Sequence, residues 1–248
     1  MIRIRALAAT AALLLATTAT GCGAQPATSP PKAARTTQPA PPPPSEAEAV
    51  APRELPALGP RTRAAVPANA RQAVVVTGDA PDSNRSTVVR YVRDPVKGWQ
   101  PVGDPWNAHN GLKGWTDHHL QGDLRSPVGV FGLSDAGGYL ADPGTRLPYD
   151  RGPAFTIKGK GFLGESLVGS FDYVVAVDYN RVPGRTPLDW TRPLGAGRGG
   201  GIWIHVDHGG PTHGCVSVPR DDMRTLLRWL DPSRHPVVIM GDAQALGR

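Results

Sequence analysis

A histidine on one alternating strand and a cysteine at the head of the next are the residues whose types and spacing could do chemistry. In Gly201-Ile202-Trp203-Ile204-His205-Val206, the residues Ile202, Ile204 and Val206 share one face, and Trp203 and His205 share the other. The aliphatic set is expected to face a core, which turns His205 toward a cleft or solvent beside a large aromatic surface. A short glycine-bearing connection, Asp207 to Pro211, leads to Thr212-His213-Gly214-Cys215-Val216-Ser217-Val218, where Val216 and Val218 alternate against Cys215 and Ser217. Cys215 is therefore expected to point away from the core. The thiolate is the nucleophilic form of a thiol, and an unassisted cysteine has a pKa of about 8.5, so a nearby base is needed. His205 and His213 are both candidates. Gly214 lets the backbone approach a substrate carbonyl, and the amides of Gly214 and Cys215 are placed to donate to a developing oxyanion.

The chain has only two cysteines. The other, Cys22, follows a basic start, Met1-Ile2-Arg3-Ile4-Arg5, and a small-residue apolar stretch from Ala6 to Thr20 that is too short to span a bilayer comfortably. Residues 1–21 thus read as an export signal. Ala19-Thr20-Gly21-Cys22 resembles the lipobox of bacterial lipoproteins, with Ala19 where Leu is usual, and implies lipid attachment at Cys22; plain cleavage and secretion is the other reading. Either way, Cys215 stands alone in an oxidising compartment outside the cytoplasm, where a leftover thiol reads as reactive rather than structural.

Residues 22–70 are rich in Pro, Ala, Thr and Ser, with the run Pro41-Pro42-Pro43-Pro44, and are expected to be a disordered tether without a core. Residues 71–248 hold all six Trp and every β-rich run, enough for one well-buried catalytic domain. The formal charge is +6, or roughly +4 once Arg3 and Arg5 leave with the signal. No dense Lys/Arg block or aromatic platform accompanies it, which argues against nucleic acid and is compatible with an anionic wall or membrane surface.

The elements that must position these residues are mostly β. Strands are expected at Ala73 to Thr77, Thr87 to Arg93, Trp99 to Val102, Val128 to Phe131, Tyr173 to Asp178, Gly201 to Val206, Cys215 to Val218 and Pro236 to Met240. One convincing helix runs from Asp221 to Leu230, with Met223, Leu226, Leu227 and Leu230 at helical spacing and Asp231-Pro232 ending it. The expected fold class is mostly β with one or two helices.

At its cysteine the sequence resembles the YkuD-type L,D-transpeptidases, whose signature is a histidine on one strand followed by [Ser/Thr]-His-Gly-Cys at the start of the next. Thr212-His213-Gly214-Cys215 matches it completely, Ser126-Pro127-Val128-Gly129-Val130-Phe131 looks like the family's Pro-x-Gly-x-Phe strand, and Tyr179-Asn180 is similar as well. The resemblance implies a β-sandwich-like catalytic fold, a cysteine acyl-enzyme and peptidoglycan stem peptides as donor and acceptor. It also implies Cys215 as nucleophile, His205 as base, the Val206 carbonyl orienting that imidazole, and His213 and Gly214 lining the acyl site with Thr212. Two features depart from the pattern. Only six residues separate His205 from Thr212, and Ser217 stands where Asn or Arg commonly follows the cysteine by two. The second bears on acceptor binding or oxyanion support, because a Ser hydroxyl is shorter than either group.

Other readings stay open at this point. An L,D-carboxypeptidase would use the same nucleophile with water as acceptor; Trp203, beside His205, hints at a shielded thioester and an amine acceptor. A wall-binding lipoprotein that has lost catalysis is a second alternative. His205, His208 and His213 with Asp207 could ligate zinc, although three-residue spacing sets His205 and His208 on opposite faces of a continuing strand. Asp117-His118-His119 is a further cluster, with adjacent histidines expected to be solvated. The favoured reading needs no metal or other cofactor and expects a monomer.

Overall fold

The structure, a computed structural model, describes residues 53–248. The export signal, Cys22 and most of the tether lie outside the described residues. Twelve strands and three helices follow in chain order. They are α1 (Pro60–Ala65), β1 (Gln72–Gly78), β2 (Arg85–Asp94), β3 (Gly98–His109), β4 (Trp115–Thr116), β5 (Ser126–Pro127), β6 (Gly129–Gly132), β7 (Ala136–Gly138), β8 (Tyr149–Arg151), β9 (Val174–Ala176), β10 (Trp203–Val206), β11 (Val216–Val218), α2 (Arg220–Trp229), β12 (Val237–Asp242) and α3 (Ala243–Leu246). The fold is mostly β with few helices, as the strand-rich sequence implies.

Ten strands form one curled sheet in the order β6-β12-β1-β2-β3-β11-β10-β9-β7-β8, and β4 pairs with β5 alone. The β-branched run of β1 explains its central place. Val74 and Val76 join one apolar cluster with Ile204, Val206, Val216 and Val218, while Ala73 and Val75 on the opposite face join a second with Tyr91, Trp99, Val237 and Ile239. Because strands from both halves of the sheet share the first cluster, the curled sheet closes on itself like a sandwich. Met223, Leu226, Leu227 and Leu230 of α2 and its C-terminal cap are fully buried in that cluster. Each such side chain contributes about 1.5–3 kcal/mol of burial.

One expectation is corrected. The Pro-rich segment does not run free to residue 70: Leu55 and Leu58 are buried in the second cluster and Arg53 bridges to Gly98, so folded chain begins by Arg53. The strand expected at Val128 to Phe131 is β6, shifted by one residue and paired to β12; its first residue, Gly129, has φ 155°, and the separate short strand β5 precedes it, paired to β4. The Gly-rich β7 carries no alternation to announce it. It is a strand because its glycines permit close approach: a Cβ at Gly137 would sit 2.6 Å from the Asp150 carbonyl and from Phe155.

Candidate active site

The two strands that carry the chemistry, β10 and β11, are parallel neighbours, with Ile204 opposite Val216, His205 opposite Ser217 and Val206 opposite Val218. The alternation expected from sequence holds: Ile202, Ile204, Val206, Val216 and Val218 are all in the core. His205 and Cys215 both line a cleft of about 100 Å³, with Ile157, Phe162, Leu167 and Phe171 forming its apolar wall.

The imidazole of His205 is only 3% exposed. Its Nδ1–H donates to the Val206 carbonyl at 2.9 Å, which leaves Nε2 as the unprotonated, accepting nitrogen. Phe171 meets the ring edge-on at 5.4 Å and the His208 ring stacks on it at 5.9 Å. Burial pushes the His205 pKa down to about 4, opposed by the Val206 hydrogen bond. Burial pushes the half-buried Cys215 thiol up to about 11. Cys215 Sγ accepts from the Trp203 amide at 3.4 Å and faces the Gly201 carbonyl at 3.6 Å. At neutral pH the resting site therefore holds a neutral imidazole and a neutral thiol rather than an ion pair.

The turn that presents Cys215 is held from three sides. Thr212 Oγ1 accepts from the Gly214 amide at 3.1 Å and donates to the Cys215 carbonyl at 2.6 Å. Ser126 Oγ donates to the Gly214 carbonyl at 2.8 Å and accepts from the Gly111 amide at 2.9 Å. Gly214 has φ 151°, and a Cβ there would lie 3.0 Å from the Arg125 carbonyl and 3.5 Å from the His119 ring. Only glycine suits the position. The expectation that the Gly214 amide points at an oxyanion is corrected, because that amide is taken by Thr212; of the two amides, Cys215's is the one left for the role.

The remaining candidates divide between the cleft, which His208, Thr212 and His213 also line, and positions outside its lining, where Trp203 and Ser217 lie. His213 is exposed and stacks on Phe162 at 4.7 Å, at the mouth of the cleft. Trp203 packs between Phe155 and Phe171 at 5.9 and 5.0 Å. Ser217 is fully buried and donates to Asp207 Oδ1 at 2.7 Å, the same oxygen that His109 Nδ1 meets at 2.8 Å, while Gly209's amide caps Oδ2 at 3.1 Å. These partners hold Asp207 at a pKa of about 2 against the cost of burial. His208 faces Glu165 Oε1 at 3.2 Å. His205 and His208, expected on opposite faces of a continuing strand, instead stack at 5.9 Å because β10 ends at Val206, and both line the cleft with His213; among the described residues no three His, Cys, Asp or Glu side chains converge on a metal position. His119, expected in a solvated loop, is buried behind the Gly214 turn and edge-on to Tyr179 at 5.4 Å.

Sequence reasoning assigned no role to Ser126 and only noted Tyr179-Asn180. The Tyr179 hydroxyl donates to the Arg198 carbonyl at 2.8 Å, and Asn180 Nδ2 donates to the carbonyls of Gly195 and Gly199 at 3.0 and 2.5 Å. Together they fasten the chain that leads into β10.

Among curated proteins and among solved structures, none matches the chain. Residues 69–239 match a family model described as YkuD, L,D-transpeptidase catalytic domain, a span that includes His205, the Thr212 to Cys215 turn and every strand between β1 and β11, and the chain belongs to that family.

Proposed function

We propose that this protein is an L,D-transpeptidase acting on peptidoglycan stem peptides through a Cys215 thioester. The observation that carries the reading is the shared cleft, lined by both Cys215 and a buried His205 whose Nδ1 is fixed on the Val206 carbonyl. In the first step Sγ attacks the stem-peptide carbonyl carbon while His205 Nε2 takes the thiol proton. The oxyanion collapses, the C–N bond breaks, and His205 returns the proton to the departing amine of D-alanine. In the second step the amine of a neighbouring stem attacks the thioester and loses a proton to His205. The new amide forms, and the proton goes back to the sulfur. Neutral resting partners suit this cycle, because no charge is held in the dry cleft until attack creates it.

The walls Phe162, Leu167, Phe171 and Ile157 favour an amine acceptor over water. An exported protein tethered by lipid at Cys22 would hold this domain at the outer face of the membrane, beside its polymer. Incubation of the purified protein with wall tetrapeptide, read by intact mass, tests the reading: a tripeptide adduct on Cys215 and cross-linked dimers are expected. Tripeptide and free D-alanine without dimers would make it an L,D-carboxypeptidase. No adduct with either tetrapeptide or a carbapenem would leave a wall-binding protein without catalysis.

A further inference from the structure

Residues 181–201 connect β9 to β10 and bring one guanidinium against the backbone that touches the nucleophile. Arg192 lies over Gly200 and Gly201: its Nε and Cδ occupy the space of a Gly200 Cβ, at 2.2 and 2.5 Å from that position, and its Nη2 is 3.5 Å from a Cβ position on Gly201. The Gly201 carbonyl is in turn 3.6 Å from Cys215 Sγ. Both glycines have positive φ, 147° and 67°, so the backbone is shaped to admit the side chain.

The Arg192 side chain is braced and half-buried. Nη1 donates to the carbonyls of Asp189 and Thr191, each at 3.1 Å, and the guanidinium sits 4.7 Å from the centre of the Trp190 ring, whose residue is 76% exposed. The Asp189 carboxylate accepts from the Thr191 amide at 2.7 Å. Among the described residues Nε and Nη2 donate to nothing. A braced guanidinium whose Nε and Nη2 have no partner among the described residues can receive a carboxylate through two parallel hydrogen bonds.

We propose that Arg192 binds the α-carboxylate of the amino acid that leaves from the donor stem, so that the enzyme reads a free chain end one residue beyond the bond it breaks. The assignment rests on the transpeptidase reading above. The leaving residue's carboxylate lies only a few bonds from the carbonyl under attack, and Arg192 is a single peptide unit from the sulfur that attacks it. No guanidinium is available from the strand position two after the nucleophile, because Ser217 is there and faces Asp207. Arg192 instead approaches from the opposite end of β10, beside Gly200 and Gly201.

The test compares acylation of the full chain by a wall tetrapeptide with a free terminal carboxylate and by the same peptide with a terminal carboxamide, for wild type, Arg192→Lys and Arg192→Gln. Wild type is expected to favour the free acid by about 10- to 100-fold in kcat/KM, Arg192→Gln to lose that preference and Arg192→Lys to keep part of it. The ratio is taken within each variant, so a general loss of folded protein cancels. Alkylation of Cys215 by iodoacetamide should be unchanged in both variants. Acylation with the same acid-to-amide ratio in Arg192→Gln as in wild type overturns the assignment alone. Failure of both peptides to acylate wild type overturns the proposed function and the assignment with it.

Discussion

His205 lies opposite Ser217 in the parallel β10–β11 ladder, so Cys215, two residues before Ser217, is set diagonally from the imidazole, and both line one cleft. His213, the histidine nearer in sequence, is exposed at the mouth of that cleft, its ring tilted against Phe162. His205→Ala is therefore expected to reduce acylation by about 10²- to 10⁴-fold, the usual worth of general-base assistance, while His213→Ala leaves a readily measured adduct. Stopped-flow acylation separates the two. A larger loss in His213→Ala than in His205→Ala would reverse the roles.

The neutral resting pair has its own signature. With the thiol pushed up to about 11, thiolate at pH 7 is scarce, and the greater basicity of that thiolate makes up part of the difference. Iodoacetamide should alkylate Cys215 about tenfold more slowly than a free cysteine peptide at pH 7, with a rate still rising above pH 9. A plateau by pH 7 would mean a stabilised thiolate.

His205 is expected to set the acidic limit of activity and to contribute to acid sensitivity of the fold. Its folded-state pKa, about 4, is below the usual 6.5 of an exposed histidine, so the unfolded chain binds more protons between those values. Stability should fall as pH drops from about 6.5 to about 4, and His205→Gln should flatten that part of a urea-melt profile. The acid limb of kcat/KM in wild type should lie near pH 4, where Nε2 becomes protonated, rather than near 6.5.

Much of this arrangement is legible in the sequence because it follows from alternation. Val74 and Val76, Ile204 and Val206, and the α2 stripe from Met223 to Leu230 all face the core as their spacing dictates. What is not legible comes from tertiary proximity. Parallel pairing of β10 and β11 decides that Ser217, not Cys215, is level with His205, and no local pattern encodes that. Ser217 reads as a shortened substitute until Asp207 and His109 are seen beside it. Leu55 and Leu58 are two apolar residues in a Pro-rich stretch, below any threshold of periodicity, yet they fill a pocket against α3 and β1. His119 has polar neighbours in sequence and apolar ones in space.

The Asp207 carboxylate ties β3 to β11 and caps the turn after β10. Asp207→Asn should lower stability by about 1–3 kcal/mol at pH 7, since it weakens charge-assisted bonds at a half-buried site. Its folded-state pKa of about 2 lies below the ordinary carboxylate value, so the wild-type contribution is present above about pH 4 and is lost as pH falls through 2. The gap between wild type and Asp207→Asn should narrow over that window. An unchanged gap at pH 2 would show that the carboxylate's charge is not what matters.

The loop that carries Arg192 is rooted by a buried cation. Arg181 Nη1 lies 2.9 Å from Asp135 Oδ2 and 2.5 Å from Asp178 Oδ1, and also meets Ser134 Oγ at 3.0 Å, while Gly184's amide caps Asp135 at 2.8 Å. Arg181 and Asp135 are nearly inaccessible, and burial raises the Asp178 pKa even with the guanidinium beside it. Removing the cation strands two carboxylates in a dry site, which typically costs about 3–5 kcal/mol. Arg181→Met should show that loss in urea melts at pH 7. Without the guanidinium Asp178, already raised by burial, titrates at still higher pH, so its protonation relieves the variant earlier than wild type, and the deficit should shrink as pH falls toward 5. A deficit independent of pH would point to lost packing by the Arg181 stem instead of stranded charge. Because the same loop positions Arg192, a folded Arg181→Met is also expected to discriminate less well between free-acid and amidated stem peptides, while iodoacetamide still reaches Cys215 at the wild-type rate.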